Sequence, residues 1–239
     1  MRKRLAVLAF VLAIGVVVAS ATTGGAATSV RHAPNHKLTN STSTNWSGYA
    51  VTGNRFTSVS ASWKEPTVSC SGTAYSSFWV GLDGDTSNTV EQTGTDSDCS
   101  GSTPQYYAWY EMYPKFPVNL SQPVHPGDTL TASVTTNGSG SFTLTISDTT
   151  QGWTNRTTAK LHNAKLASAE VIAEAPSSSG GVLPLANFGT VNFSGATANG
   201  ASLDKLPNLD PITMVSGSTV KAQPSSINSG SFSVTWKHS

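Results

Sequence analysis

Charge is what this 239-residue sequence has least of. Asp, Glu, Lys and Arg make up 11% of it, less than half of the roughly 25% usual in soluble proteins. Arg2, Lys3 and Arg4 crowd the extreme N-terminus, so the remainder is slightly acidic. That balance excludes a basic footprint for nucleic acid. It also leaves little self-repulsion in acid, which points to an acidic working environment. Cysteine is nearly absent. Cys70 and Cys99 are the only two, and with no histidine pair beside them they do not make a zinc site. In an exported chain, two cysteines are expected to join as one disulfide, worth about 3–4 kcal/mol in the chain-entropy model.

Long apolar runs are missing after residue 18. The run that exists, Leu5 to Val18, is shorter than the roughly 20 residues a membrane span needs. It follows the three basic residues and leads into Ala19-Ser20-Ala21. A charged start, an apolar middle and a small-residue end mark residues 1–21 as a secretory signal, so the protein is expected to be secreted and free of membrane after cleavage. Residues 22–44 have no periodicity and read as a flexible tail or short pro-segment. Pro34 breaks any helix that would bring His32 and His36 onto one metal, so both are expected in solvent. Also missing are a G-x-S-x-G elbow and an H-E-x-x-H helix. No metal and no cofactor are expected.

In place of charge the chain carries Ser, Thr, Gly and Asn. Short strand-like runs, bounded by Gly, Pro, Asn and Asp, recur over residues 45–52, 57–64, 76–82, 89–93, 105–113, 128–136, 141–148, 156–161, 169–175, 188–193, 212–215 and 232–237. The run at 89–93 is expected to end on Gly94. About a dozen strands without βα alternation imply an all-β sandwich or barrel, and no linker interrupts residues 45–239, which read as one domain.

Against so little charge, two glutamates four apart in Ser168-Ala169-Glu170-Val171-Ile172-Ala173-Glu174 stand out. On a strand, Glu170, Ile172 and Glu174 share one face. They are either solvated on an edge or held on a cleft face, where desolvating a carboxylate needs a reason. Three further blocks gather aromatics, amides and carboxylates: Asn45-Trp46-Ser47-Gly48-Tyr49; Trp79-Val80-Gly81-Leu82-Asp83-Gly84-Asp85 followed by Gln92-Thr93-Gly94; and Ala108-Trp109-Tyr110-Glu111-Met112-Tyr113-Pro114.

In that order, W-V-G-L-D-G-D, Q-T-G, A-W-Y-E-x-Y-P and A-E-x-I-x-E resemble the glutamic peptidases, or eqolisins, as does the run Phe188 to Phe193. The resemblance spans residue 45 to the C-terminus. It implies a sandwich of two antiparallel sheets of the concanavalin A or lectin-like jelly-roll kind. It implies an acid-acting endopeptidase whose partners are polypeptide substrates; the chain is expected to work as a monomer. By the motifs, Gln92 and Glu174 are the catalytic pair. Glu174 takes a proton from the attacking water and Gln92 donates to the oxyanion. Trp46, Trp79 and Trp109 are candidate walls of the substrate cleft, although a single tryptophan in a β protein is more often core. Asp83 and Glu111 are candidates for substrate contact or support of the pair; turn geometry and a solvated strand face are their alternatives. Glu170 has a supporting role at most.

The sequence departs from the family at Val171 and Met112, where aromatics are usual, and residues 22–44 are short for an inhibitory pro-domain. Two other readings stand beside the peptidase: a non-catalytic lectin-like module binding carbohydrate or peptide, and a glycosidase pairing Glu174 with Glu111 or Glu170.

Overall fold

The computed structural model describes residues 29–33, 42–53, 55–85 and 87–239. The expected signal at 1–21, and His36, lie outside them. Thirteen strands of five or more residues carry the architecture: β1 (Trp46–Thr52), β2 (Ser58–Lys64), β3 (Ser77–Leu82), β4 (Val90–Ser100), β5 (Thr103–Tyr113), β6 (Thr129–Thr136), β7 (Ser141–Asp148), β8 (Trp153–Lys160), β9 (Ser168–Glu174), β10 (Thr190–Ala198), β11 (Leu209–Ser216), β12 (Thr219–Pro224) and β13 (Phe232–Trp236). Among the described residues the sole helical element is a single 3-10 turn, Leu203–Lys205.

These strands form two antiparallel sheets. One runs β8-β7-β6-β2-β10-β13-β12-β11 and the other β11-β1-β9-β3-β4-β5. Strand β11 belongs to both. Its first half, Leu209 to Ile212, pairs with β1, and its second half, Met214 to Ser216, pairs with β12 across a register shift. The sheets bury a common core. Phe78, Val80 and Leu82 of β3 and Val171 and Ala173 of β9 join one apolar cluster with Trp63, Leu130, Leu144 and Phe193 of the other sheet.

Burial separates the two sheets. β7 alternates intermediate and buried residues, as a sheet with one wet face does. In β3 and β9 every residue is buried, so both faces are covered. The face of β9 turned from the core carries Glu170, Ile172 and Glu174, and over it lies a second apolar cluster of Trp46, Ala50, Trp79, Val90, Trp109, Ile172 and Ile212.

The outline agrees with the strand pattern of the sequence, with three main differences besides the shifted ends of β8, β10 and β11. The strand expected to stop at Gly94 continues to Ser100. A Cβ at Gly94 would lie 2.2 Å from the Phe78 carbonyl oxygen and 2.6 Å from the Trp79 Cβ, so this glycine admits close packing inside a strand and does not end it. Strand β12 was not expected, because its Thr-Val-Lys-Ala-Gln-Pro run has no clean alternation. Finally, parts of the supposed tail are built into the fold. Arg31 exchanges two 2.8 Å backbone hydrogen bonds with Ser177, and Thr42 and Ser43 pair with Thr213 and Met214. Cys70 and Cys99 are disulfide-bonded, as expected.

Candidate active site

Residues directly opposite one another in an antiparallel ladder point to the same face. The registers of β1, β9, β3, β4 and β5 therefore stack three rows across the outer face of their sheet. The first is Ala50, Glu170, Gly81, Gln92 and Glu111. The second is Gly48, Ile172, Trp79, Gly94 and Trp109. The third is Trp46, Glu174, Ser77, Asp96 and Tyr107. Four separate motifs of the sequence are thus gathered on one patch. Gly81 separates Glu170 from Gln92, and a Cβ there would come within 3.2 Å of the Gln92 Cβ.

Glu174 is fully buried. One oxygen accepts the indole N–H of Trp79 at 2.8 Å, the other the Asn45 amide at 3.3 Å. Burial pushes its carboxyl well above the usual range, and Glu111 adds to this, while His32 and the Trp79 bond oppose it. Gln92 donates its side-chain NH2 to the carbonyl oxygen of His32 at 2.6 Å and to Glu111 Oε2 at 3.1 Å. Glu111 Oε2 also accepts the His32 backbone N–H at 3.1 Å and lies 3.2 Å from its Nδ1. Burial raises Glu111, and His32 partly offsets that. The three tryptophans are buried, and all three indole N–H groups are spent on the site: Trp79 on Glu174, Trp46 on the Ala33 carbonyl at 3.1 Å, and Trp109 on Asp96 Oδ1 at 2.6 Å.

Two residues lie elsewhere than the sequence suggested. Asp83 makes no hydrogen bond to Glu174 or Gln92 with its carboxylate. Its oxygens accept the backbone N–H groups of Lys165, Leu166 and Ala167 at 2.8–2.9 Å, and its backbone has φ 68°. It anchors a loop, as the turn alternative allowed. His32, expected in solvent, is buried at the centre of the site. Its ring stacks on Trp109 with 3.6 Å between centroids and 3° between planes. Its Nε2 lies 3.3 Å from Asp96 and its Nδ1 3.2 Å from Glu111. Burial alone would lower the imidazole's pKa, but Asp96 and then Glu111 more than reverse this and raise it well above the ordinary imidazole value.

Glu170 is on the shared face but makes none of these contacts. Burial raises its carboxyl well above the usual range; the Ser168 hydroxyl opposes, and Asp85, Asp83 and Glu91 add to the rise. Two residues that motif reading passed over belong to the site. Asp96 stands four residues beyond Gln92 on the same face and binds Trp109 and the Tyr107 hydroxyl. Asn45 opens the first block and reaches both Glu174 and the Ala33 carbonyl. Following the period of two past Gly94 would have found Asp96. Beyond His32 a cavity of about 370 Å³ opens, lined by Tyr107, Phe116, Pro117, Asn119 and Val30. Among the described residues no group of His, Cys, Asp and Glu is arranged to hold a metal ion.

Comparison with known proteins converges on one family. The model of the peptidase A4 family matches residues 44–236. Aspergillopepsin-2 of Aspergillus niger is 30% identical over 181 residues, covering 65% of this chain and 64% of its own length. Scytalidopepsin B of Scytalidium lignicola is 37% identical over 110 residues, 45% of this chain and 41% of its own. The match thus spans less than two thirds of either relative. The crystal structure of scytalido-glutamic peptidase with a peptide-based transition state analog superposes with a TM-score of 0.72 at 26% identity, covering 81% of this chain and 98% of that one.

Proposed function

Because the chain belongs to the peptidase A4 family, we propose that it is a secreted endopeptidase that works in mildly acid solution with Glu174 as general base and Gln92 as oxyanion donor. The observation that carries this reading is the Gln92 amide. Its NH2 is aimed at a backbone carbonyl oxygen 2.6 Å away, in a site that also holds the carboxylate of Glu174. Water attacking such a carbonyl would give its proton to Glu174 while negative charge grows on the oxygen that Gln92 holds. Protonated Glu174 would then pass that proton to the leaving amine. The Trp79 and Asn45 bonds fix the carboxylate, and the buried tryptophans keep bulk water from it.

Trp46, Trp109 and Glu111 serve as substrate contacts in this reading. Trp46 holds one carbonyl of a backbone lying over the site, Glu111 a backbone N–H, and Trp109 the face of a side chain. Glu170 supports the sheet beneath Gln92 and takes no part in chemistry. The raised carboxyl of Glu174 favours a mildly acid working range over a strongly acid one, since the base must be ionised. Secretion follows from the leader read in the sequence. Among the described residues no helix is long and apolar enough to cross a membrane.

Protein digestion by wild type, Glu174→Gln and Gln92→Ala tests the assignment, with circular dichroism as the check on folding. Glu174→Gln should lose at least 1,000-fold in kcat and Gln92→Ala about 100- to 1,000-fold, the range for loss of one oxyanion donor. Near-normal activity in folded Glu174→Gln would refute the mechanism.

A further inference from the structure

Strand β4 carries polar residues on its outer face past the catalytic pair. Gln92, Gly94, Asp96 and Asp98 follow one another there at every second position. Between the last two stands a single hydroxyl. Tyr107 Oη lies 2.8 Å from Asp96 Oδ2 and 2.7 Å from Asp98 Oδ2. A phenol has one proton to give. It donates to one of these oxygens and must accept from the other, so one of the two carboxyls carries a proton. The other donors decide which. Asp96 accepts the Trp109 indole N–H at 2.6 Å and faces His32 Nε2 at 3.3 Å. Asp98 accepts the Ser76 backbone N–H at 3.1 Å, and that bond goes to its Oδ1. The proton therefore rests on Asp98 Oδ2. Burial and then Asp96 raise the Asp98 carboxyl well above its ordinary value, against Tyr107, Ser76 and His32. Burial, Asp96 and Asp98 likewise push Tyr107 up, so the phenol keeps its own proton.

We infer that Asp98 is a positioning residue of the candidate site: as the neutral acid it donates to Tyr107, Tyr107 donates to Asp96, and this chain aims the carboxylate that holds the Trp109 indole in the substrate cleft. This rests on the peptidase reading above. Ionised Asp98 has no proton for Tyr107. The hydroxyl then serves only one of two like charges, and Asp96 loses its aim. Asp98 also lines a cavity of about 340 Å³ with Tyr75, Gln105, Tyr107 and Asn119, so its proton can exchange without passing through the cleft. The titratable groups that face it are Asp96 on its own strand, Tyr107 on β5, His32 from residues 29–33 and Tyr75 across the cavity. Glu65 meets the other face of β4, where Ser97 donates to it at 2.6 Å. Ionisation of Asp98 thus weakens substrate binding on the basic side of the pH profile.

The test is the pH dependence of kcat and KM in wild type, Asp98→Asn and Tyr107→Phe. The substrate is a fluorogenic peptide chosen from the cuts wild type makes in a denatured protein, and circular dichroism at every pH checks folding. The amide of Asp98→Asn can give its N–H to Tyr107 and its oxygen to the Ser76 N–H, as the neutral acid does, and it cannot ionise. The basic limb of kcat/KM should move up by about one pH unit or more, mostly through KM, while the acid limb stays. Tyr107→Phe should raise KM about tenfold in acid, and Asp98→Asn added to it should no longer move the basic limb. In NMR of isotope-labelled aspartate carboxyls, one signal should titrate well above the ordinary aspartate range and be missing from Asp98→Asn. A basic limb that stays put in folded Asp98→Asn overturns the inference and leaves the peptidase reading standing. An Asp98 carboxyl that ionises in the ordinary range does the same, as do acid and basic limbs displaced alike. If no protein is digested at all, the peptidase reading falls and this one with it.

Discussion

At the scale of single residues, the site is a set of carboxyls held away from water and steered by neighbours. Glu174 is the clearest case. Its ionised form is opposed by burial and favoured by the Trp79 indole and by the His32 charge. Trp79→Phe would keep the ring packing and remove the N–H donor at 2.8 Å. A carboxylate that loses a donor is harder to ionise, so its pKa rises further. The acid limb of the pH–kcat profile should therefore move to higher pH in Trp79→Phe, which rate measurements across the limb would show; an unmoved limb would mean that Glu174 is not the titrating base. Substrate over the site should act in the same direction by excluding water. In wild type the acid limb of kcat is thus expected above that of kcat/KM, which reports the free enzyme.

At the scale of elements, strand pairing assembles what single strands cannot. β9 was legible from the sequence, since alternation alone put Glu170 and Glu174 on one face; separating their roles needed the family motifs. The continuation of β4 was not, because glycine is read locally as a break. Gly94 is instead demanded by a neighbouring strand, through the 2.2 Å that would separate its Cβ from the Phe78 oxygen. Gly94→Ala should push β3 and β4 apart and destabilise the fold by roughly 2–3 kcal/mol, read from the denaturant midpoint; a midpoint shift below about 0.5 kcal/mol would show that the strands yield without cost. The placement of His32 was illegible for a different reason. Nothing around it is periodic, and its partners Asp96 and Glu111 are 64 and 79 residues away. Asp83 was left between a site role and a turn by the sequence, and three backbone N–H groups of a distant loop claim its oxygens, as the turn reading expects.

For the whole molecule, scarce charge and buried acids act together. Burial pushes Glu65 up to about 7 and Glu91 up to about 9, the latter with help from Asp83. A carboxyl that binds its proton more tightly folded than unfolded supports the fold fully below its ordinary pKa, 4.5 here. That support is lost as pH rises through the folded value. Stability should therefore fall between about pH 5 and 9, with Glu65 alone costing on the order of 3 kcal/mol by pH 8. Melting temperature against pH would show the decline, and Glu65→Gln should flatten its lower half. A melting temperature that rises over this interval would contradict the account.

The three rows across the outer face carry one more consequence. Each row is composed of residues from five strands, and side chains switch faces with every step along a strand. If β9 paired one residue out, Val171 and Ala173 would turn outward and Glu170 and Glu174 inward to the core. Glu174 would leave the cluster, while the Gln92 amide and the indoles stayed behind on the neighbouring strands. A misthreaded molecule is thus silent, never partly functional, and the active fraction of a refolded sample counts the correctly threaded chains.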